Sequence, residues 1–329
     1  MKTGTGSTQV ARAVWTVGRH PTHVLRLPSQ GPPRLNVLII PGNPGVAEYY
    51  EPFMHSLHQG LRGRACITCV SQLGMDGQGL TSGVFSLSDQ IQHKSDLLRQ
   101  HFSQEGQPPL ALLAHSIGAY MAIKAAAGAA DARVRAVVAM YPFLEHDPAC
   151  PRQRSLAWLS RRWRWVGRLV APLQLLPHPW LSAVVRVQSG MQEEHALAAT
   201  RLVLRPDSVR NALFLASTEF AELEGSLPWD DVRRLPSFTA YLAEGDMWCP
   251  AWQQQLLEKR LGRTQLRRIP GQTHAFCSYS DQSRDLASSI VADLNGLMEG
   301  AADPATMLAA GETKLYVTIP YVKANIDSS

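Results

Sequence analysis

The stretch that decides the fold is "LALLAHSIGAY" at residues 110–120, in which a serine stands between an apolar run and a glycine. The residues before Ser116 have the composition of a buried strand, and "IGAYMAIKAAAG" after it has that of a helix closed by Gly128. A tight turn between a strand and a helix has no room for large side chains two positions before and after the serine. Ala114 and Gly118 meet that requirement. The pattern therefore predicts a serine lifted out of the end of a strand.

Apolar runs alternate with helix-like segments on both sides of this stretch, which is the pattern of a parallel sheet wrapped by helices. Further strands are predicted at "LNVLII" (35–40), "ACITCV" (65–70), "VRAVVAMYP" (134–142) and "PSFTAYLAEGD" (236–246). A strand, a serine turn and a helix in such a sheet form the nucleophile elbow of the α/β-hydrolase fold. We therefore predict an α/β-hydrolase fold with a mostly parallel, doubly wound sheet and a helical insertion.

The domain organisation follows from the point at which this alternation stops. From about residue 144 to 230, tryptophan, arginine and proline mix with helix-favouring residues and no strand-like run is visible. We predict a flexible N-terminus at 1–20, the first part of the hydrolase core at 21–143, a helical cap at 144–230, the second part of the core at 231–299, and a tail of unknown role at 300–329.

A serine hydroxyl needs a base, and in this fold the partners follow in the order serine, acid, histidine. His274 in "GQTHAF" is the one histidine after His195, and it lies between a predicted strand and the last predicted helix. Asp246 follows a strand end, so we predict a triad of Ser116, Asp246 and His274, in which the aspartate orients the imidazole. The alternatives are an exposed loop histidine and an aspartate that caps the helix after Pro250.

The tetrahedral intermediate of such a reaction needs two backbone N–H donors. Ile117, the residue after the serine, provides one. The other belongs in the loop after "LNVLII", and because Pro41 and Pro44 have no N–H, Asn43 is predicted to provide it. This chemistry requires no metal and no organic cofactor, so we predict neither.

Two other features near these residues are predicted to be structural. His115, next to the serine, points away from it in a nucleophile elbow. Cys66 and Cys69 form a C-x-x-C pair, but they lie in an apolar run with no second pair at zinc spacing, which favours a buried strand over a metal or redox site.

Composition limits the class of protein and its partners. Among 329 residues, 45% are hydrophobic and 18% charged, which suits one large globular core. Part of the net charge of +5 is local, since seven arginines and no acid lie between Asp147 and Glu193. Beside tryptophans this fits an anionic lipid surface, and we predict no nucleic-acid partner. Five cysteines, with no secretory leader, predict a reducing compartment.

In combination, several motifs resemble the lipid-droplet-associated hydrolase family. They are "IIPGNPGVAEYY", "QIQHKSDLLRQH", "HSIGAY", the Asp-x-Trp-Cys-Pro element at 246–250 and "HAF" at 274–276. The resemblance implies a serine lipid hydrolase on lipid droplets and the cytosolic face of the endoplasmic reticulum, linked to weak sterol-ester hydrolysis, with Ser116, Asp246 and His274 as its functional residues. The sequence departs from the family at Ala114, where glycine is usual, and in the tail after about Gly300.

The cap contains a stretch suited to a lipid surface. "LVAPLQLLPHPWLSAVV" (169–185) has 17 residues without formal charge, which is short of the roughly 20 needed to span a bilayer, and prolines interrupt it. We predict a monotopic hairpin at about 155–187; the alternative is a lid over the active site. The predicted lipid-surface residues are Trp158, Trp163, Trp165 and Trp180 at the interface, with Arg161, Arg162, Arg164 and Arg168 near head groups.

The sequence therefore predicts a carboxylic ester hydrolase that acts on a sterol ester or a related neutral lipid ester at the phospholipid monolayer of lipid droplets. Two alternatives stay open. One is a droplet or endoplasmic-reticulum scaffold with little turnover, and the other is a hydrolase of a different ester or of an amide.

Overall fold

The sheet contains eight strands within residues 9–129, 133–170, 205–225 and 227–299, which are the residues that the computed structural model describes. The strands are β1 Ala11–Val17, β2 His20–Leu27, β3 Leu35–Ile40, β4 Ala65–Val70, β5 Leu110–His115, β6 Val134–Met140, β7 Phe238–Leu242 and β8 Leu266–Arg268. Their spatial order is β1-β2-β4-β3-β5-β6-β7-β8. Strands β3 to β8 are parallel to one another, while β2 runs antiparallel to both of its neighbours, β1 and β4. The predicted mostly parallel sheet is confirmed.

Helices connect the parallel strands, as right-handed crossovers require. They are α1 Glu51–Gly60, α2 Leu87–His101, α3 Ile117–Gly128, α4 Pro151–Ser160, α5 Trp163–Val170, α6 Pro206–Glu222, α7 Trp229–Arg234, α8 Ala251–Leu261 and α9 Ser280–Glu299. Helix α1 packs on α9, and α2 packs on α3. Local sequence fixes the start of α2, where Ser86 and Asp89 form a reciprocal capping box.

The central strands are buried along their whole length, which explains their continuous apolar runs. In β4 the two cysteines of the C-x-x-C pair lie three positions apart, so their side chains point to opposite faces of the sheet. Cys66 accepts a hydrogen bond from Arg26, while Cys69 lies against the Ala47 carbonyl. The prediction of a buried strand is confirmed, because the two thiols cannot bind one metal ion.

The N-terminal segment differs from the expectation. Residues 1–20 were expected to be flexible, but residues 11–20 belong to a hairpin in which Ala11 pairs with Arg26 and Val17 with His20. Gly18 makes the turn at φ 58°. Trp15 stacks on His101 of α2, with ring centroids 4.4 Å apart. The prediction of flexibility is wrong for this part because the polar opening residues mask the short alternating pattern of β1. Residues 1–8 lie outside the described residues.

The cap between β6 and β7 consists of α4 to α7 and contains no strand in its described part. Helix α6 packs against both α4 and α5. The predicted hairpin at 155–187 is described only as far as residue 170. The rest of the hairpin and the tail at 300–329 lie outside the described residues.

A fully buried lysine lies on α2. The Lys94 Nζ atom is 3.0 Å from Nδ1 of His93, whose Nε2 lies 2.8 Å from the Thr22 hydroxyl. Burial lowers the pKa of Lys94 to about 7. In an unfolded chain the amine keeps a pKa near its ordinary value of 10.5. Between these two values, the unfolded state binds more protons than the folded state, so the folded state gains stability as pH rises.

Replacing Lys94 with methionine is expected to remove this pH dependence while keeping most of the volume. The wild-type free energy of unfolding should rise with a component of up to about 1.4 kcal/mol per pH unit between pH 7 and 10. Urea denaturation across this range measures it. Lys259→Met, on the exposed face of α8, is the control. Parallel pH curves for the wild type and Lys94→Met would contradict the prediction.

Candidate active site

Ser116 occupies a strained turn between β5 and α3. Its backbone has φ 55° and ψ −126°, a region that side-chain-bearing residues seldom adopt. At Gly118, a Cβ atom would lie 2.4 Å from the Pro41 carbonyl oxygen and 2.6 Å from that of Ile40. Only glycine allows the start of α3 to approach the loop after β3 so closely. The predicted steric cause of the small residue two positions after Ser116 is therefore present.

His274 connects Ser116 with Asp246. Its Nε2 lies 2.9 Å from Ser116 Oγ, and its Nδ1 lies 2.8 Å from Asp246 Oδ2. These residues come from three separate connections, after β5, β7 and β8, which end at the same edge of the parallel sheet. Because a carboxylate only accepts, Nδ1 carries the hydrogen and Nε2 is free to accept from the serine hydroxyl. The structure thus brings together all three residues of the predicted triad.

The surroundings of Asp246 and His274 decide between the alternatives for these residues. The second carboxylate oxygen of Asp246 accepts a hydrogen bond from the Trp248 N–H. This oxygen therefore stabilises the turn after β7 and not the start of α8. Helix α8 begins at Ala251 with Pro250 as its N-cap and has no side-chain cap. The side chain of Asp246 is 1% exposed and that of His274 is 21% exposed. Asp246 is therefore not a helix cap, and His274 is not a freely exposed loop residue.

The loop after β3 lies against Ser116. A Cβ atom at Gly42 would be 2.9 Å from Ser116 Cβ, and the Gly42 N–H is already used by the Tyr50 hydroxyl at 3.1 Å. Among the described residues, the N–H groups of Asn43 and Ile117 have no hydrogen-bond partner. The two predicted donors for an oxyanion are thus both free to bind one.

A family profile described as lipid-droplet associated hydrolase matches residues 33–277, which include every residue of this site. The chain belongs to the lipid-droplet associated hydrolase family. A member from Gallus gallus is 28% identical over 80% of this chain and 85% of its own length. A member from Homo sapiens is 26% identical over 89% of this chain and 94% of its own length. Both are named lipid droplet-associated hydrolase.

Solved structures with low sequence identity share the fold of this family member. Haloalkane dehalogenase DbeA from Bradyrhizobium elkani has a TM-score of 0.63 at 16% identity, covering 88% of this chain and 99% of its own. A laboratory-evolved variant of potato epoxide hydrolase has a TM-score of 0.62 at 14% identity, covering 88% of this chain and 100% of its own. The predicted α/β-hydrolase fold is confirmed, and the chain is a member of a hydrolase family.

His115 links two loops of the site, a role that sequence reasoning described only as structural. Its Nε2 donates to the His274 carbonyl oxygen at 2.8 Å, so its Nδ1 must accept from the Tyr50 hydroxyl at 2.7 Å. Burial, together with the nearby His274, lowers the pKa of His115 to about 3, which keeps the ring neutral. An unbroken chain of hydrogen bonds thus joins Gly42 to the backbone of His274. Tyr50 was missed; its position in "VAEYY", close to the loop after β3, was the available signal.

Aromatic residues cover one side of the histidine in this family member. The Trp248 ring lies 5.8 Å from that of His274, and Phe143 and Phe220 pack on the far side of Trp248 at 4.9 and 6.3 Å. Phe220 belongs to cap helix α6, so the cap reaches the edge of the sheet at which Ser116, Asp246 and His274 meet. Sequence reasoning missed this cluster because Phe143 and Trp248, its first and last members, are more than 100 positions apart.

The predicted lipid-surface residues do not behave alike. Trp158 and Trp165 are 58% and 67% exposed. Trp163 is half-buried and packs edge-on against Phe214 of α6 at 5.2 Å, and its place at the lipid interface stays a prediction. All four predicted lipid-surface arginines are exposed: Arg161, Arg162, Arg164 and Arg168. Trp180 lies outside the described residues.

Neither a metal cluster nor a spanning helix is found in the described part of this family member. There, no three histidine, cysteine, aspartate or glutamate side chains are grouped so that they could hold a metal ion. No described helix combines the length and apolar character that crossing a bilayer requires.

Proposed function

We propose that this protein is a serine hydrolase of carboxylic esters, and that its substrate is a sterol ester or a related neutral lipid ester at the lipid droplet surface. The observation that carries the proposal is the His274 imidazole, hydrogen-bonded through one nitrogen to Ser116 and through the other to Asp246. This is the arrangement that activates a serine hydroxyl. The names of the relatives from Gallus gallus and Homo sapiens support the lipid setting.

Acylation begins when the Ser116 hydroxyl transfers its proton to His274 Nε2 and its oxygen bonds to the ester carbonyl carbon. The resulting tetrahedral intermediate collapses by breaking the bond to the alcohol oxygen, which takes the proton from Nε2 as it leaves. Water then attacks the acyl group on Ser116, gives a proton to Nε2, and releases the fatty acid as the serine regains its hydrogen. Asp246 holds the imidazole in one orientation and stabilises its positive charge in each transition state.

The negative charge on the substrate oxygen requires preorganised donors. The backbone N–H groups of Asn43 and Ile117 are assigned this role, since both are unpartnered and both belong to segments in contact with Ser116. Each such donor contributes about a hundredfold to a thousandfold in rate. The chemistry uses only protein groups, and we propose no metal or organic cofactor.

The outer face of the cap supports the proposal that the protein binds the phospholipid monolayer of droplets and the cytosolic surface of the endoplasmic reticulum. Arg162 stacks over the Trp158 ring at 3.6 Å, and Arg168 lies 5.3 Å from the Trp165 ring. Each pair presents an aromatic ring beside a guanidinium group, which suits the boundary between acyl chains and phosphate head groups. Such a face binds in the plane of the surface without crossing it.

Covalent labelling with a fluorophosphonate, followed by hydrolysis assays, tests the proposed function. The probe should form an adduct that mass spectrometry maps to Ser116, and the protein should cleave sterol esters in a phospholipid-coated emulsion faster than matched amides. A protein that takes up no probe would refute the serine mechanism. Labelling without turnover of sterol, acylglycerol or retinyl esters would favour a droplet scaffold, and preferential cleavage of amides would favour an amide hydrolase.

Replacing Trp158 and Trp165 together with alanine is expected to weaken binding to phospholipid-coated triolein droplets by about tenfold or more, because each ring buries apolar surface at the interface. Flotation of the protein with the droplets measures this. Hydrolysis of a small soluble ester should be unchanged, because neither residue contacts the triad. Val14→Ser, an exposed apolar position on β1 at the far edge of the sheet, is the matched control. Undiminished flotation of the double variant would contradict the surface proposal.

A further inference from the structure

The cap holds the oxyanion loop through one side chain. Both hydrogens of the Asn43 amide are used: Nδ2 donates to the Ala212 carbonyl oxygen at 2.9 Å and to Glu219 Oε1 at 3.1 Å. Ala212 and Glu219 lie about two turns apart on α6, so both acceptors are on one face of the helix. The loop after β3 is thereby attached to an element that is separated from it by more than 160 positions in the sequence.

The position of Asn43 makes this attachment relevant to catalysis. Its neighbour Gly42 is held in place on one side by Ser116 and on the other by the Tyr50 hydroxyl. With Gly42 held, Asn43 is the next residue whose orientation must be fixed. Its N–H and its side chain are carried by the same residue and turn together about one Cα atom. Fixing the side chain on α6 therefore limits the directions in which the N–H can point.

Glu219 is a buried acid that the triad does not use. It is 3% exposed, and burial raises its pKa to about 8, with a smaller opposing effect from the Asn43 hydrogen bond. The carboxyl group is therefore neutral at pH 7 and can accept the Asn43 hydrogen without a buried charge.

The charged groups on the elements around Glu219 face other partners. On α2, Asp89 adds to the effect of burial in raising the pKa of Glu222, the next acidic residue of α6. Near the start of the cap, His146 lies 4.0 Å from the Glu224 carboxylate. At the catalytic edge, Asp246 and His274 bind each other. Among the described residues, the pKa of Glu219 is thus determined by burial and by the hydrogen bond from Asn43.

We propose that Glu219 is a positioning residue of the ester-hydrolase reaction, because its carboxylic acid fastens the Asn43 side chain to the cap and so directs the Asn43 N–H at the substrate oxygen. The inference rests on the proposed function of Ser116, His274 and Asp246. It adds a residue of the cap to the machinery that stabilises the oxyanion.

The proposal predicts an alkaline loss of activity with a specific origin. As pH rises through about 8, Glu219 loses its proton and leaves a charge in an apolar site. The Asn43 amide binds a carboxylate more strongly than a neutral acid, but burial has the larger effect on the Glu219 pKa, so the buried charge draws water and ionisation favours separation of α6 from the loop. The wild-type kcat should therefore fall above this pH, and Glu219→Gln, which keeps a neutral acceptor, should lack that fall.

Steady-state hydrolysis of a soluble ester from pH 6 to 9.5, together with fluorophosphonate labelling rates, tests the proposal in the full-length protein. At pH 7, Glu219→Ala should lower kcat and the labelling rate by about tenfold to a hundredfold with little change in KM, because a displaced donor costs transition-state binding. Glu219→Gln should rescue most of the loss. Glu222→Gln, on the same helix, controls for removal of an acid.

The outcomes separate this inference from the proposed function. A wild-type protein that neither labels nor hydrolyses esters overturns the proposed function. A labelled, active wild type whose Glu219→Ala variant loses less than about tenfold in kcat overturns the inference alone, because a displaced oxyanion donor costs at least that much. If Glu219→Ala does not fold, the pH profile of Glu219→Gln decides, and an alkaline limb identical to that of the wild type overturns the inference.

Discussion

Replacing Ser116 with alanine is expected to lower kcat for a soluble ester by about a millionfold, as for removal of the nucleophile from other serine hydrolases. In the proposed mechanism the Ser116 hydroxyl bonds to the acyl carbon, and the imidazole of His274, 2.9 Å away, activates that hydroxyl. The residual rate should reflect binding and the N–H groups of Asn43 and Ile117. Product release followed by a pH-stat or a chromogenic ester measures the change.

Folding of the Ser116→Ala variant should be preserved, since alanine fits the same turn and no other side chain depends on the hydroxyl apart from His274. Thermal unfolding checks this. Ser160→Ala, a buried serine at the end of α4 whose hydroxyl binds only the Ala157 carbonyl, is the matched control. Ser116 would be excluded as the nucleophile if the Ser116→Ala variant still hydrolysed the ester at more than about one thousandth of the wild-type rate.

Replacing Asp246 with asparagine is expected to lower kcat by about ten-thousandfold without loss of fold. The asparagine amide can present N–H to His274 Nδ1, which would move the imidazole hydrogen to Nε2. That nitrogen could then no longer accept the proton of Ser116, although all three side chains would keep their places. The substitution therefore tests the effect of the imidazole tautomer alone, because the positions of the three side chains are kept.

Kinetics of the same soluble ester, with KM measured alongside kcat, provide the test for Asp246→Asn. The expected loss lies in kcat, because the aspartate does not touch the substrate. Asp285→Asn, an exposed position on α9, is the control for removing one negative charge. A loss below about tenfold in Asp246→Asn would mean that another group orients His274.

The sequence predicted those parts of the fold in which steric contacts between neighbouring residues determine the local conformation. The elbow is readable from Ala114, Ser116 and Gly118, because only small residues fit a turn pressed against backbone carbonyl groups. The proposed acid and base could be predicted from topology, since strand ends of a parallel sheet meet at one edge. For that reason Asp246 and His274 could be selected by position alone, although 28 residues separate them.

The features that sequence did not predict depend on contacts between distant segments. The hairpin of β1 is held by pairing with β2 and by Trp15 stacking on His101, and most of its own seven side chains are exposed or half-buried rather than part of a buried run. Trp163, which the sequence grouped with three other tryptophans at a lipid interface, is half-buried because it packs against Phe214 of a helix about 50 positions away. Glu219 has no signal of its own, as nothing along α6 marks which residue meets the loop after β3.

The close contact between Gly118 and the carbonyl groups of Ile40 and Pro41 has a consequence for redesign. On this side Ser116 is bounded by main-chain atoms, so we expect differences in ester choice to arise from side chains elsewhere around it, including those of the cap. A chimera that exchanges residues 144–230 is expected to change the esters that are hydrolysed while Ser116, Asp246 and His274, which lie outside this range, keep their places. Such a transplant must still supply acceptors where Ala212 and Glu219 now stand, or the amide of Asn43 would be left unpaired.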